Sequence, residues 1–170
     1  GQILNVFPVS EVEFYIPKWV EMLPMDHEIK QELVLEIKKI MDVIDSPILS
    51  VPGIGINLSA IIIAEIGDFS RFDSPDKILA YAGMSPSTYQ SGQLDNCYAH
   101  MEKRGSKYLR YALYNATKYV CHWDPTFAAY LAKKRAEGKH YNVAISHAVK
   151  KLVRVIYHLE KSNQQYIKAA

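Results

Sequence analysis

The clearest pattern near the start of the chain is a helical one. Between residues 26 and 44, apolar side chains recur at steps of three and four residues, which places them on one face of an α-helix. The recurring positions are Ile29, Leu33, Ile37, Ile40, Met41 and Ile44. Asp26 is a suitable N-cap, because its carboxylate can accept a hydrogen bond from a first-turn amide. We predict one amphipathic helix here, whose apolar face packs on the core or forms a coiled-coil seam between protomers.

Four further helices are predicted later in the chain from the same periodicity and from local start and stop signals. They cover residues 74–83, 106–122, 124–138 and 142–161. Ser-Pro and Asp-Pro pairs supply N-cap and first-turn residues, and Gly83 and Gly138 end two of the helices. The polar stretch 84–104 breaks the periodicity and predicts an irregular loop or a short β-hairpin around Ser91-Gly92. The predicted fold class is all-α.

Two closely spaced glycines, Gly53 and Gly55, predict a helix-hairpin-helix element over residues 46–67. A Ser-Pro pair starts a short first helix, Pro52 stops it, and the apolar run 58–66 forms the second. Both glycines are expected to take positive φ in the hairpin. The second helix then presents first-turn amides and the positive end of its dipole to a phosphate oxygen, and the glycines let a nucleic-acid strand approach. The residues expected to contact that backbone are Pro52, Gly53, Ile54 and Gly55.

The same glycines also fit a plain turn between two core helices, and this alternative stays open. A nucleotide-cofactor loop does not fit. The dinucleotide-binding pattern needs a third glycine where this chain has Leu58, and it needs a strand where Ser46-Pro47 starts a helix. The lysine of a Walker motif is also missing. ATP and NAD are therefore not indicated, and we expect no cofactor.

Charge is distributed unevenly along a chain whose formal net charge is only +2. Residues 1–100 hold 6 Lys and Arg against 14 Asp and Glu, whereas residues 101–170 hold 14 against 4. A basic half beside an acidic half is typical of a protein that meets a polyanion on one face, with an affinity that falls as salt rises. The alternative is that the lysines only solvate exposed helix faces.

Length and composition restrict the class of protein. A chain of 170 residues with 49% hydrophobic content is long enough for one sizeable core or two small subdomains. The longest apolar run, residues 60–64, is far too short to cross a bilayer, and the first residues lack the order of a secretory signal. We expect a cytoplasmic protein without membrane contact. Cys97 and Cys121 form no CxxC pair and the histidines are scattered, so we expect neither disulfides nor a bound metal.

A cluster of cations stands at the start of the helix that begins near Ser106. Its members are Lys103, Arg104, Lys107 and Arg110. The helix dipole makes cations unfavourable at this end, so an anion is expected to compensate them. Arginine is well suited to bidentate contact with phosphate, and we predict that the cluster holds one or two phosphates. A solvated basic patch is the simpler alternative.

The order of several short motifs resembles the C-terminal half of the insertion-sequence one-ten family of bacterial transposases. The motifs are Pro-Gly-Ile-Gly, Ala-Glu-Ile-Gly-Asp-Phe-Ser-Arg-Phe, Ala-Tyr-Ala-Gly-Met-Ser-Pro-Ser-Thr-Tyr-Gln-Ser-Gly, Lys-Arg-Gly-Ser-Lys-Tyr-Leu-Arg and His-Trp-Asp-Pro. Together they cover about residues 46–157. The resemblance implies a connector with an amphipathic helix over 1–45, a transposase domain over 46–162 and a tail over 163–170.

The family resemblance also implies a chemistry. The serine of the Tyr-x-Ser-Gly stretch is Ser91, which makes it the candidate nucleophile on a DNA phosphodiester, with Ser85 and Ser87 as alternatives. Tyr89 is expected to line the same loop and contact DNA. Family members pair this domain with a RuvC-like nuclease domain that carries four acidic residues, and a guide RNA directs them. Divalent metal is therefore expected only in that other domain, and this chain alone is expected to be inactive.

Two features depart from the family pattern. Gln93-Leu94-Asp95 replaces the glycine and basic residue that usually follow the serine motif, and too few residues precede the first helix for a RuvC-like domain. Two other functions stay open: a non-catalytic helix-hairpin-helix module that binds nucleic acid in repair or recombination, and a helical oligomerisation domain built on the first helix. The expected partners are DNA, a guide RNA and further copies of the chain.

Overall fold

A computed structural model describes residues 27–85, 101 and 103–168 of the chain. Within these residues the backbone forms six α-helices and two 3-10 turns. The helices are α1 (His27–Ile44), α2 (Ile56–Ile66), α3 (Pro75–Tyr81), α4 (Lys107–Trp123), α5 (Pro125–Ala136) and α6 (Tyr141–Ser162), and the 3-10 turns are Pro47–Ser50 and Phe69–Arg71. The all-α prediction is confirmed, and the predicted helices after residue 67 agree with the structure to within two residues at each end.

Helix α4 lies at the centre of the fold and packs against α2, α5 and α6. Its buried face is formed by Leu109, Ala112, Leu113, Ala116 and Val120. The alanines on this face, together with Ala148 of α6, have no exposed surface, and their small side chains let the helices approach closely. Helix α3 packs on α6, and α1 packs on α2. The core is therefore formed where the other helices pack around α4. This packing fixes the positions of both ends of α4.

The amphipathic helix α1 turns the middle of its predicted stripe toward the core. Met41 is buried, and Ile37 and Ile40 are partly buried against the core cluster. Ile29 and Ile44, at the two ends of the stripe, keep 43% and 39% of their surface exposed. Packing on α2 thus accounts for the central positions, and a coiled-coil seam with another protomer stays a prediction for the rest.

Asp124 joins the start of α5 to the C-terminal tail. It is completely buried, and its Oδ1 accepts a hydrogen bond from the Phe127 N–H at 3.0 Å as the N-cap of α5. Its Oδ2 accepts a hydrogen bond from the Tyr166 hydroxyl at 3.0 Å, and the Tyr166 N–H donates to Ser50 Oγ at 2.7 Å. Burial, followed by this contact with Asp124, raises the pKa of Tyr166 to about 12. The predicted tail is thereby anchored to the core at Tyr166.

We expect Asp124→Ala to lower the free energy of unfolding by about 2–4 kcal/mol, since it removes a helix cap and leaves the Tyr166 hydroxyl without its acceptor. Tyr166→Phe retains the cap and should cost less. Urea denaturation of both variants, followed by circular dichroism, measures the difference. If Asp124→Ala unfolds at the wild-type midpoint, Asp124 does not join the tail to the core as described.

Candidate nucleic-acid interface

The segment with the two closely spaced glycines folds as a turn that leads into α2. Ser46 caps the single 3-10 turn Pro47–Ser50, and its hydroxyl accepts a hydrogen bond from the amide two residues ahead at 3.3 Å. Gly53 has a φ of +89°, as predicted, but the prediction for Gly55 is wrong because its φ is −76°. Gly55 is instead the N-cap of α2, which starts at Ile56, two residues before the predicted start. Because only one 3-10 turn precedes the glycines, a complete helix-hairpin-helix element stays a prediction.

The missing side chain of Gly53 is required by packing inside the protein. A β-carbon at this position would lie 2.7 Å from the carbonyl carbon of Tyr119 and 2.9 Å from the amide nitrogen of Val120, both in α4. Ile54 is buried beside it, and Pro52 is half-buried. The plain-turn alternative therefore accounts for Gly53, since one backbone approaches another here. Phosphate contact by the first-turn amides of α2 stays a prediction.

The predicted cation cluster lies where α3 ends and α4 begins. Ser106 caps α4: its hydroxyl accepts a hydrogen bond from the Leu109 N–H at 3.0 Å and donates one to Glu65 of α2. The Ser106 N–H donates to the carbonyl of Tyr81, the last residue of α3, at 2.9 Å. Glu65 brings a carboxylate to the first turn of α4. The sequence led us to expect a ligand as the compensating anion, but the protein itself supplies part of this negative charge. Sequence reasoning missed Glu65, since 41 residues separate it from Ser106.

Two glycines hold the end of α3 against the residues that precede α4. Gly83 has a φ of +65° and Gly105 a φ of +112°. A β-carbon at Gly83 would overlap the carbonyl oxygen of Arg104, and one at Gly105 would overlap the carbonyl oxygen of Tyr81. Each glycine therefore leaves room for a carbonyl of the other segment. We call these two contacts the glycine clamp.

Arg110 reinforces the glycine clamp from the first turn of α4. Its Nη1 donates to the carbonyl of Ala82 at 2.8 Å and to the carbonyl of Lys103 at 3.4 Å. A guanidinium has five N–H donors, so these bonds occupy part of its capacity and fix its position. Arg110 is half-buried as a result. It therefore stabilises the backbone that carries the other cations.

The remaining cations of the cluster face solvent. Lys103, Arg104 and Lys107 are exposed, and the Lys107 ammonium lies 4.9 Å from the centre of the Tyr108 ring. Within the described part of the chain, none of the three has a carboxylate at ion-pair distance. Exposed cations that are held close together and are not neutralised attract phosphate. Phosphate binding by these cations stays a prediction.

The two glycines of the clamp stand on either side of the stretch 86–100 in the sequence. Residues 83–85 lead into this stretch, and residues 101 and 103–105 follow it. The candidate nucleophile Ser91, the alternative Ser87, Tyr89 and Cys97 lie outside the described residues, as does the predicted hairpin around Ser91-Gly92. Ser85 is described and is half-buried. The roles assigned to Ser91 and Tyr89 stay predictions.

The described residues offer neither a reactive thiol nor a metal site. Cys121 is buried, and burial raises the pKa of its thiol to about 11, which keeps the thiol protonated and unreactive at neutral pH. Across residues 27–85, 101 and 103–168, no three His, Cys, Asp or Glu side chains lie close enough together to hold a metal ion. None of the described helices combines the length and the apolar character needed to cross a bilayer.

We expect Gly83→Ala to reduce the free energy of unfolding by about 1–3 kcal/mol more than Gly67→Ala. Gly67 is the matched control because its φ of +66° nearly equals that of Gly83, but a β-carbon at Gly67 would meet nothing within 4 Å. The difference between the two variants therefore reports on the contacts with the Arg104 carbonyl and the Arg110 guanidinium. Equal losses for the two variants in urea denaturation would contradict the glycine clamp.

The chain is similar to insertion element proteins and to pilin gene-inverting proteins. It is 24% identical over 167 residues to the insertion element IS110 uncharacterized 43.6 kDa protein of Streptomyces coelicolor, which covers 97% of this chain and 41% of that protein. It is 28% identical over 120 residues to the insertion element IS900 uncharacterized 42 kDa protein of Mycobacterium paratuberculosis, covering 70% of this chain and 30% of that protein. It is 25% identical over 169 residues to the pilin gene-inverting protein of Moraxella lacunata, covering 98% of this chain and 52% of that protein.

The match to a family model covers the turn with Gly53 and Gly55, the glycine clamp and the cation cluster. The model of the Transposase IS116/IS110/IS902 family matches residues 45–132, which is just over half of the chain. The chain spans between 30% and 52% of the length of the three relatives described above. The resemblance inferred from the motifs is confirmed: this chain belongs to the Transposase IS116/IS110/IS902 family.

Proposed function

We propose that this chain is the serine-bearing part of a DNA transposase, in which Ser91 attacks a DNA phosphodiester. The observation that supports the proposal is the glycine clamp, because it holds Gly83 against Arg104 and Arg110, and the residues between Gly83 and Arg104 in the sequence include Ser91. Membership of the transposase family and similarity to a protein named for the inversion of a pilin gene support DNA recombination as the class of reaction.

The proposed reaction conserves the energy of the bond that it cuts. Ser91 Oγ forms an ester bond to phosphorus while the bond from phosphorus to a deoxyribose oxygen breaks. The serine proton leaves to water, and the departing oxygen takes up a proton to become a hydroxyl. A hydroxyl on another strand then attacks the phosphoserine, forms the new phosphodiester and restores the serine. The two steps balance without ATP.

The role of the cations in this chemistry is to stabilise charge in the transition state. Attack on phosphorus increases the negative charge on the phosphoryl oxygens, and cations that are already in position stabilise it without reorganisation. Arg104 and Lys107 are exposed and suited to this task. Arg110 is tied to two carbonyls, so its contribution is mainly to position the others.

The whole protein is proposed to contain more than this chain. By family resemblance, we expect a RuvC-like domain with acidic residues that bind divalent metal, a guide RNA that pairs with DNA, and assembly of several copies. The chain described here spans about half or less of each of the three relatives reported above, and we expect it to be inactive alone.

We expect Ser91→Ala to abolish strand transfer by the full-length protein with its guide RNA and DNA, while DNA binding is retained, because the variant loses only the nucleophile. Ser85→Ala and Ser87→Ala are matched controls and should remain active. Mass spectrometry of the wild-type reaction should recover a nucleotide attached to Ser91. Attachment to another residue would refute the assignment. Strand transfer by Ser91→Ala would favour a non-catalytic role that uses only the exposed cations.

We expect Arg104→Gln to lower the rate of strand transfer by a factor of about 10²–10³, the range seen when one group that stabilises a developing oxyanion is removed. Lys118→Gln is the control, since Lys118 is an exposed cation on α4 outside the cluster. Single-turnover rates at saturating DNA separate this effect from weaker binding. An Arg104→Gln rate equal to that of the control would exclude Arg104 from transition-state stabilisation.

A further inference from the structure

A second concave surface lies between α6, α5 and the C-terminal tail. This groove has a volume of about 670 Å³. Its basic side is formed by His147, Lys150, Lys151, Arg154 and His158 of α6. Tyr130 of α5 and residues 164–167 of the tail complete it. We refer to this surface as the α6 groove.

The basic residues of the α6 groove follow one line along the helix. They are separated by three, one, three and four residues, which places them on one face of an α-helix. At a rise of 1.5 Å per residue, the line from His147 to His158 is about 16 Å long. One strand of B-form DNA places a phosphate about every 3.4 Å along the helix axis, so this length corresponds to several phosphates.

The charge on this line is only partly neutralised. Lys150 and Lys151 have no carboxylate at ion-pair distance among the described residues. Arg154 lies 3.5 Å from Asp76 of α3, with both side chains well exposed, and such a pair is weak in water. Burial lowers the pKa of His147, and the nearby charges of Lys139, Lys134 and Lys150 lower it further. Only Glu137 acts in the opposite direction among the causes of this shift. The α6 groove is thus a region of positive potential.

Aromatic and apolar surface lies directly beside these cations. The Lys151 ammonium lies 4.5 Å from the centre of the Phe127 ring and 5.2 Å from that of Tyr130. Val155, Leu159 and Ile167 also line the groove, and Ile167 keeps 89% of its surface exposed. A duplex offers phosphates but keeps its bases stacked inside, whereas a single strand offers both phosphates and unstacked bases. Proteins that bind single strands combine a basic groove with aromatic side chains on which bases stack.

From this combination we propose that the α6 groove binds single-stranded DNA, with Lys150, Lys151 and Arg154 on its phosphates and Tyr130 against a base. The choice of DNA over RNA rests on the proposed function. Helix α3 lies between the groove and the cation cluster. Asp76 near its start forms an ion pair with Arg154, and the carbonyl of Tyr81 at its end accepts a hydrogen bond from the Ser106 N–H. The seven residues of α3, about 10 Å in length, thus connect the groove to the cluster.

The test measures binding of a fluorescent single-stranded oligonucleotide by the 170-residue chain over a range of salt concentrations. Lys150→Gln/Arg154→Gln should weaken binding at least tenfold at low salt. It should also lower the slope of log affinity against log salt by about 1.4, since each phosphate contact on a single strand contributes about 0.7. Lys118→Gln/Lys133→Gln removes the same charge from exposed positions outside the groove and should leave the slope unchanged.

Three single variants at two positions test the parts of the α6 groove separately. Tyr130→Leu should weaken binding without changing the salt slope, and Tyr130→Phe should retain binding, because stacking requires the ring and not the hydroxyl. Asp76→Asn should tighten binding, since it removes the carboxylate next to Arg154. Circular dichroism and a urea midpoint for each variant exclude unfolding as the cause.

Equal salt slopes for the two double variants would overturn the proposal, as would tighter binding of duplex DNA or of single-stranded RNA of the same sequence. A change in molecular mass with Tyr130→Leu in light scattering, without loss of DNA binding, would show that the groove holds another copy of the chain. Ser91→Ala should bind the oligonucleotide like wild type. A failure of strand transfer at Ser91 and a failure of the groove are therefore distinguishable.

Discussion

The arrangement of the basic site depends on one steric constraint, the contact of two glycines with two carbonyl groups. Gly83 and Gly105 are 22 positions apart, and each leaves space for a backbone oxygen of the other segment. Any side chain at either position would force the end of α3 away from the start of α4. The Ser106 N–H and the Arg110 guanidinium then close the same junction with hydrogen bonds to Tyr81, Ala82 and Lys103. Backbone contacts of this kind leave little freedom, so the backbone that carries the neighbouring cations is held in place before any ligand arrives.

Because of this constraint, the side chains of the cations differ in their freedom to contact a ligand. Arg110 has less freedom because it holds two carbonyls, whereas Arg104 contributes its carbonyl to the junction and keeps its side chain in solvent. Glu65 reaches the same helix end through Ser106 and offsets part of the repulsion between the cations and the dipole of α4. The start of α4 is therefore partly compensated by a carboxylate of the protein itself, and the cluster still carries exposed positive charge.

The helices could be predicted from the sequence because their limits are set locally. Ser106 and Asp124 cap the helices they precede, and each does so with a side chain that reaches only three residues ahead. The negative φ of Gly55 was not predicted, because α2 starts two residues before the apolar run and makes Gly55 its N-cap. The contact of Gly53 with Tyr119 and Val120 could not be predicted either, since α4 lies more than 50 residues away in the sequence. The α6 groove was missed for a similar reason. Spacing alone puts its cations on one helix face, but only the fold brings Tyr130 and the tail beside them.

The position of the C-terminal tail, which borders the α6 groove, is determined by contacts with the core. Tyr166 forms hydrogen bonds with Ser50, which precedes the turn with Gly53 and Gly55, and with Asp124, which caps α5. One side of the α6 groove is thus tied to the turn that packs on α4, and α3 ties its other side to the cation cluster through Asp76 and Tyr81. A strand that contacts both surfaces would be held at two points of one packed helical unit. The strand exchange that we propose requires that a cut end stay near the proposed phosphoserine until the new hydroxyl arrives, and two fixed contacts on one body would meet that requirement better than either surface alone.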